Sequence, residues 1–295
     1  MLGVVNLDKP VGPTSHDMVG LLRRLTGTRR IGHAGTLDPL ASGVLPVLVG
    51  AATRFSEELT GGRKRYEAVV RLGARSATDD GEGPIVPTQA PMPAVESVRD
   101  ALASFVGTFE QRPPAFSARK AGGMTAHRAA RAGAPIEVPP RAVTVDAIEL
   151  LGTEALDGML DVSIDVRCGP GTYIRSIARD LGDALGCGGY LASLRRTEAA
   201  GLRAADAIGP EALEALAAGG RLGEAVLPVG TLLPLPRLDL DEAAAHAFRH
   251  GSARGVAGAA EGKVAAFGDG ALLGIGVVTA GILQPAKVVP ADLDA

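Results

Sequence analysis

The spacing of apolar residues along this chain changes period several times, and each change marks an element. Gly3 to Leu7 is a short apolar run that predicts a strand, and Lys9-Pro10-Val11-Gly12-Pro13 predicts a turn after it. Met18, Leu21, Leu22 and Leu25 recur at helical spacing, so a helix is expected from near Ser15 to Gly27. Val44 to Val49 reads as an apolar strand. From Arg65 to Leu72 the period falls to two, with Tyr66, Ala68, Val70 and Leu72 on one face. Val95, Val98, Leu102 and Phe105 restore helical spacing within Ala94 to Val106. Val143 to Leu150 and Asp161 to Cys168 are strands, the second alternating Val162, Ile164, Val166 and Cys168 with polar residues. Gly169-Pro170-Gly171 then turns the chain into a helix from about Tyr173 to Leu185, whose stripe is Ile174, Ile177, Ala178, Leu181 and Leu185.

The stretches without a period are as informative. Thr78 to Pro84 is turn-rich. From Gln111 to Pro140 the chain is rich in Pro, Gly, Ala and Arg, which reads as an excursion from the core, partly helical near Ala126 to Arg131; long excursions of this kind are commonly functional. Leu227 to Pro236 contains Pro228, Pro234 and Pro236 and separates a body, residues 1–230, from a final segment, residues 237–295. Short apolar runs broken by glycine in that segment (Val264 to Phe267, Leu272 to Val278, Ile282-Leu283) predict a small β-rich, barrel-like module. Strands mixed with helices, without a repeating βαβ unit, place the body in the α+β class.

Composition narrows the function classes. A chain of 295 residues with 46% hydrophobic content can bury a substantial core. Its longest apolar candidate, Val44 to Ala52, contains Pro46 and Gly50 and is too short to span a bilayer. No signal-peptide pattern opens the chain, and Cys168 and Cys187 form neither a metal-binding pair nor a disulfide framework, so a cytoplasmic, reduced protein is expected. The net charge of −3 argues mildly against a nucleic-acid binder. Against that, cations cluster at Arg23, Arg24, Arg29 and Arg30, at Arg63-Lys64-Arg65, at Arg112, Arg119 and Lys120, and at Arg195-Arg196. Each cluster alone reads better as a solvated face; together they can track a phosphate backbone. No phosphate-loop or dinucleotide-binding glycine pattern occurs, and His246 and His250, though four apart, lack a third ligand nearby. Neither nucleotide cofactor nor metal is expected.

The most distinctive chemistry lies in Gly32-His33-Ala34-Gly35-Thr36-Leu37-Asp38-Pro39-Leu40-Ala41-Ser42-Gly43-Val44-Leu45-Pro46, which sets one carboxylate, Asp38, among glycines, small residues and two prolines. An isolated Asp-Pro pair is an ordinary helix N-cap. The whole string, however, resembles the catalytic loop of the TruB family of pseudouridine synthases. Lys64-Arg65-Tyr66-Glu67-Ala68 is similar to that family's second motif, and Gly171-Thr172-Tyr173-Ile174-Arg175-Ser176-Ile177-Ala178-Arg179-Asp180-Leu181-Gly182 to its third. Asn6-Leu7-Asp8-Lys9-Pro10, Gln111 to Lys120, and Leu194-Arg195-Arg196-Thr197 extend the resemblance along nearly the whole chain. Phe116 and His127 depart from it, standing where tyrosine is common.

The resemblance implies a pseudouridine-synthase domain with a mixed, largely antiparallel sheet, a thumb-like RNA-gripping insertion at about 111–140, and a PUA-like RNA-binding module at 237–295. It implies isomerisation of uridine 55 in the tRNA T-arm by base flipping, with Asp38 as the catalytic carboxylate and no cofactor. Tyr66 would stack on the uracil, Tyr173 and Leu194 would line the base pocket, and His33 would take the space of the flipped nucleotide. Arg175 would pair with Asp38, although spacing alone suits a surface pair with Asp180 or Asp183 equally well. Lys64, Arg119 and Lys120 are the expected RNA contacts, and a monomer is expected. Asp79 and Asp80 fall in a turn that resembles a family loop without catalytic duties. Two other readings remain: an RNA-binding or tRNA-folding protein without catalysis, and a guide-RNA-dependent dyskerin-type synthase.

Overall fold

A computed structural model describes residues 2–116, 120–121, 124–125 and 138–290. The helical turn expected near Ala126 to Arg131 lies outside the described residues, as do Arg119 and His127.

Most of the body's strands enter one ten-stranded sheet. In chain order these are β1 (Gly3–Lys9), β2 (Ile31–His33), β3 (Ala41–Val49), β4 (Lys64–Leu72), β5 (Gly107–Gln111), β6 (Arg141–Leu156), β7 (Met159–Cys168), β8 (Gly189–Ala199), β9 (Leu202–Arg203) and β10 (Val226–Leu227). Across the sheet they run β10-β1-β3-β8-β4-β7-β6-β5, with β2 beside β3 and β9 beside β8. Every pairing is antiparallel except β3 with β8. That parallel contact sets Leu194 beside Ala41, Arg195 beside Ser42 and Arg196 beside Gly43. It therefore brings the end of the Asp38 loop against the middle of β8.

Helices cover the sheet where the sequence carries 3.6-residue stripes. Helix α1 (Ser15–Thr26) opens on a capping box, in which the Asp17 N–H donates to the Thr14 hydroxyl and the Thr14 N–H to the Asp17 carboxylate. Helix α2 (Val95–Ala103) buries Val98 and Leu102. Helix α3 (Ile174–Ala184) buries Ile174, Ile177, Ala178 and Leu181 against β4 and β8. It sits unusually close to β8, because a Cβ on Gly182 would overlap the backbone of Gly188 and Gly189. Helix α4 (Pro210–Ala218), with proline at its start, completes the body.

The C-terminal residues form a second, five-stranded sheet: β11 (Arg237–Asp239), β12 (Arg254–Gly255), β13 (Gly262–Gly268), β14 (Ala271–Thr279) and β15 (Ile282–Val288). Its spatial order is β11-β13-β14-β15-β12, and helix α5 (Glu242–Arg249) packs beside it. The two sheets share one apolar cluster, in which Val4, Leu48, Phe55 and Leu59 of the body pack with Phe267 and Ile275. Lys287 adds an ion pair with the buried Glu58 at 2.9 Å. No described helix is long and apolar enough to cross a membrane.

Candidate active site

Asp38 lies in the loop between β2 and β3, and almost every restraint on that loop goes to its backbone. The Ser15 hydroxyl donates to the Leu37 carbonyl at 3.0 Å and accepts from the Leu37 N–H at 2.8 Å. The Gly12 N–H donates to the Pro39 carbonyl at 2.9 Å, and the Ala41 N–H to the Asp38 carbonyl at 3.0 Å. Asp38-Pro39 thus opens a tight turn rather than a helix. Beneath the loop runs Arg196, the largest fully buried side chain among the described residues. Its guanidinium donates to the carbonyls of Gly35 (3.0 Å), Thr36 (3.4 Å) and Val44 (2.7 Å). The rigid fork of guanidinium donors fixes three carbonyls that lie apart along the loop. Gly43 meets the same strand directly: at φ +99°, a Cβ there would overlap the Arg196 backbone.

A second buried cation supports the loop from the other side. The Lys9 amine donates to the carbonyls of Pro10 and Pro13, each at 2.8 Å, and reaches the Pro39 carbonyl at 3.5 Å. Burial pulls this amine down to about 8, against the opposing pull of the Asp38 and Glu82 charges. With Lys9 and Arg196 below it, the loop leaves the Asp38 side chain 41% exposed at the surface of a cavity of about 590 Å³.

Arg175, in the first turn of α3, meets that carboxylate at 3.0 Å and is itself 7% exposed. Its guanidinium also reaches the buried Asp80 at 3.3 Å, the Thr78 carbonyl at 3.3 Å and the Phe116 carbonyl at 3.0 Å. The intrahelical alternatives are taken by other residues: Asp180 pairs with Arg179 and Asp183 with Arg75. Asp80, which the sequence places only in a turn, is a second counter-ion of Arg175. One arginine shared by two carboxylates is held in one orientation by both.

Tyr66, Tyr173, Leu194 and Lys64 join Asp38 and Arg175 in lining the cavity. Tyr66 projects from the centre of the sheet, between Val166 on β7 and Arg196 on β8. Burial pushes its phenol up, while the hydrogen-bonded Arg196 guanidinium pulls the other way. Tyr173 is the residue preceding α3, with the Arg141 guanidinium 5.7 Å from its ring centre. The cavity thus combines a carboxylate paired with a cation, the rings of Tyr66, Phe116 and Tyr173, and apolar side chains such as Leu194, a set suited to holding a flat ring beside an acid.

Two expected residues are placed otherwise. Lys64 is not a free surface cation: its amine donates to the Thr60 and Gly62 carbonyls, each at 2.9 Å, and burial pulls it down to about 8. His33 sits half-buried on β2 opposite Val47 and is not among the residues lining the cavity. Its imidazole is pulled below the usual histidine range by burial. The Arg119 and Lys120 side chains lie outside the described residues. His246 and His250 stack on each other with ring centres 4.3 Å apart, and the described residues hold no cluster of three metal-ligating side chains.

Arg196, Lys9 and Gln111 support the site although sequence reasoning gives them no role of their own. One signal for Arg196 was available. Adjacent residues on a strand face opposite sides, so of Arg195-Arg196 one must point inward. Arg195 pairs with Asp8 at the surface and Arg196 is the buried one.

Comparison with known proteins gives concordant matches. The family model described as TruB family pseudouridylate synthase (N terminal domain) matches residues 23–174, and the model of the tRNA pseudouridylate synthase B C-terminal domain matches residues 175–234. A protein named tRNA pseudouridine synthase B from Mycobacterium sp. (strain KMS) is 45% identical over 275 residues, covering 92% of this chain and 91% of that protein. One of the same name from Ralstonia pickettii (strain 12J) is 40% identical over 299 residues, covering 97% and 94%. Among solved structures, an H/ACA RNP bound to a substrate RNA containing 2′-deoxyuridine aligns with a TM-score of 0.74 at 26% identity. A Cbf5-Nop10-Gar1 complex aligns with the same TM-score at 27% identity, and each alignment covers 98% of this chain and 86% of the other.

Proposed function

This chain belongs to the TruB family of pseudouridylate synthases, and from that membership we propose that it isomerises uridine to pseudouridine in tRNA, acting alone on position 55 of the T-arm. The observation that carries the proposal is the Asp38–Arg175 pair, 3.0 Å apart at the surface of a cavity walled by Tyr66, Tyr173 and Leu194. The reaction breaks the C1′–N1 bond, joins C1′ to C5 of the same uracil, releases the C5 proton to solvent and leaves N1 protonated. No group is imported and no net electrons move, so the chemistry calls for no cofactor. A carboxylate is needed either to attack the sugar or to remove its C2′ proton, and Asp38 is placed to do either. Arg175 orients it. The freed uracil must be kept in place and away from water while it turns, the task of the two tyrosines and Leu194.

Because the reacting bonds are inaccessible in a stacked base, the nucleotide must be flipped into this cavity. The space it vacates falls to His33 in this reading. Residues 1–230 form the catalytic domain, with the 111–140 excursion gripping RNA through Arg119 and Lys120, and residues 237–295 a PUA-like RNA-binding domain. Lys64, which lines the cavity wall, is assigned a contact to the RNA there. The protein works in the cytoplasm as a monomer. A guide-RNA-dependent mode draws less support, since the relatives matched at 40–45% identity are named as tRNA enzymes and the RNP structures match at 26–27%.

The test is tritium release from C5-labelled uridine in a T-arm transcript, with purified protein and no other component. Release from position 55 alone is the expected result. RNA binding without release would favour the non-catalytic reading, and release only when a guide RNA is added would favour the dyskerin-type one.

A further inference from the structure

The 111–140 excursion leaves the sheet between two paired residues, since Gln111 ends β5, Arg141 begins β6, and the two are partners in the β5–β6 register. Both touch Tyr173. The Gln111 side chain is 1% exposed and closes a two-way bond to the Tyr173 backbone, its amide donating to the carbonyl at 3.0 Å and its oxygen accepting the N–H at 2.8 Å. Arg141 lies over the Tyr173 ring and donates to the Gly171 carbonyl. Residues just beyond Gln111 continue the attachment. The Arg112 carbonyl accepts from the Ser176 hydroxyl at 2.8 Å and from Arg179 at 2.9 Å, and the Phe116 carbonyl accepts from Arg175 at 3.0 Å.

The root of the excursion is therefore hydrogen-bonded to four residues at the start of α3: Tyr173, Arg175, Ser176 and Arg179. One of these walls the cavity and another holds Asp38. Tyr173 is also the N-cap residue of α3 and has no capping bond from its own side chain. Gln111 instead bonds both backbone groups of that N-cap residue, as a side chain from outside the helix can at a helix start.

We propose that Gln111 is a positioning residue for the base pocket, fixing the Tyr173 backbone and with it the first turn of α3. This rests on the proposed function above. A glutamine serves here because one side chain must both donate and accept; a carboxylate of the same shape cannot donate.

The test is Gln111→Glu, nearly isosteric, with Gln111→Met as the second variant should the charge prevent folding. Single-turnover rates on saturating T-arm RNA and affinities by filter binding are measured together. The expected result is a rate lowered about tenfold with Kd changed less than threefold. An unchanged rate would overturn the proposal. So would a loss carried mainly by Kd, since it would make Gln111 a residue of RNA binding rather than of positioning. Absence of turnover in the wild-type protein would instead sink the functional reading itself.

Discussion

At the scale of single residues, the site separates groups that act from groups that hold. Asp38 touches solvent, while the cations beneath it are buried and spend their donors on carbonyl oxygens. Asp38→Asn is nearly isosteric and leaves Arg175 paired with Asp80 at 3.3 Å, so no buried charge loses its last partner and the fold should lose no more than about 1 kcal/mol. Turnover should fall below detection, since either mechanism needs the carboxylate. RNA affinity should stay within about tenfold, roughly 1.4 kcal/mol, because phosphate contacts elsewhere supply most of it. Tritium release, filter binding and a melting curve on one preparation check all three, and wild-type turnover would remove Asp38 from the chemistry. Lys9 makes a different prediction. Its folded amine titrates at about 8 against an ordinary 10.5, so between these values the unfolded chain binds the proton that the folded one has lost. Stability contributed at this position should therefore rise with pH from about 8 to 10.5, by at most about 1.4 kcal/mol per pH unit, and be flat below 8. Urea titrations of wild type and Lys9→Met across that range, compared as differences, should show the gain; parallel pH curves would refute it.

At the scale of elements, the decisive contact is that of α3 with β8. Alanine is a better helix former than glycine by about 1 kcal/mol, so an exposed helical glycine gains by the change. Gly182→Ala should do the opposite, destabilising by roughly 2 kcal/mol or more, because the added methyl meets the backbone of Gly188 and Gly189, which cannot rotate away. The helix must lift, and Arg175 lifts with it, so turnover should fall beyond what the lower stability explains. Chemical denaturation with parallel single-turnover assays tests this, and a stabilised, fully active variant would show that the gap can open freely. Elements with a clean period were legible in the sequence: β4 and β7 through alternation, α1 and α3 through their stripes. Strand β8 gave no such signal, because it lies near the sheet centre and carries Arg196 on an inward face where apolar residues mark other strands. Helix α4 is mostly alanine and leucine and has one fully buried residue, Leu213, so it has no stripe to read. The site's motifs were readable as strings. Its tertiary partners, Asp80 and Gln111, were not, because they meet α3 from turns and strand ends distant in sequence.

At the scale of the whole molecule, a net charge of −3 coexists with a chain expected to bind a polyanion. Many arginines are already paired with carboxylates, as Arg65 is with Asp165, Arg71 with Asp161 and Arg195 with Asp8, so formal charge overstates the cations left for phosphate. RNA affinity should nonetheless fall with salt, and Arg119→Ala with Lys120→Ala should flatten the plot of log K against log salt by about 0.7–0.9 for each phosphate no longer neutralised. Filter binding over a salt series gives the slope, and an unaltered one would move those cations off the RNA. The doubly paired Arg175 has a consequence that reaches past any assay. Because Asp80 stays behind when Asp38 changes, the chain can lose its reaction without losing its shape. Selection for folding alone does not guard position 38. A duplicated copy freed from its catalytic task could drift there at little cost and persist as an intact RNA-holding protein, so in this architecture survival of the fold is no witness to survival of the chemistry.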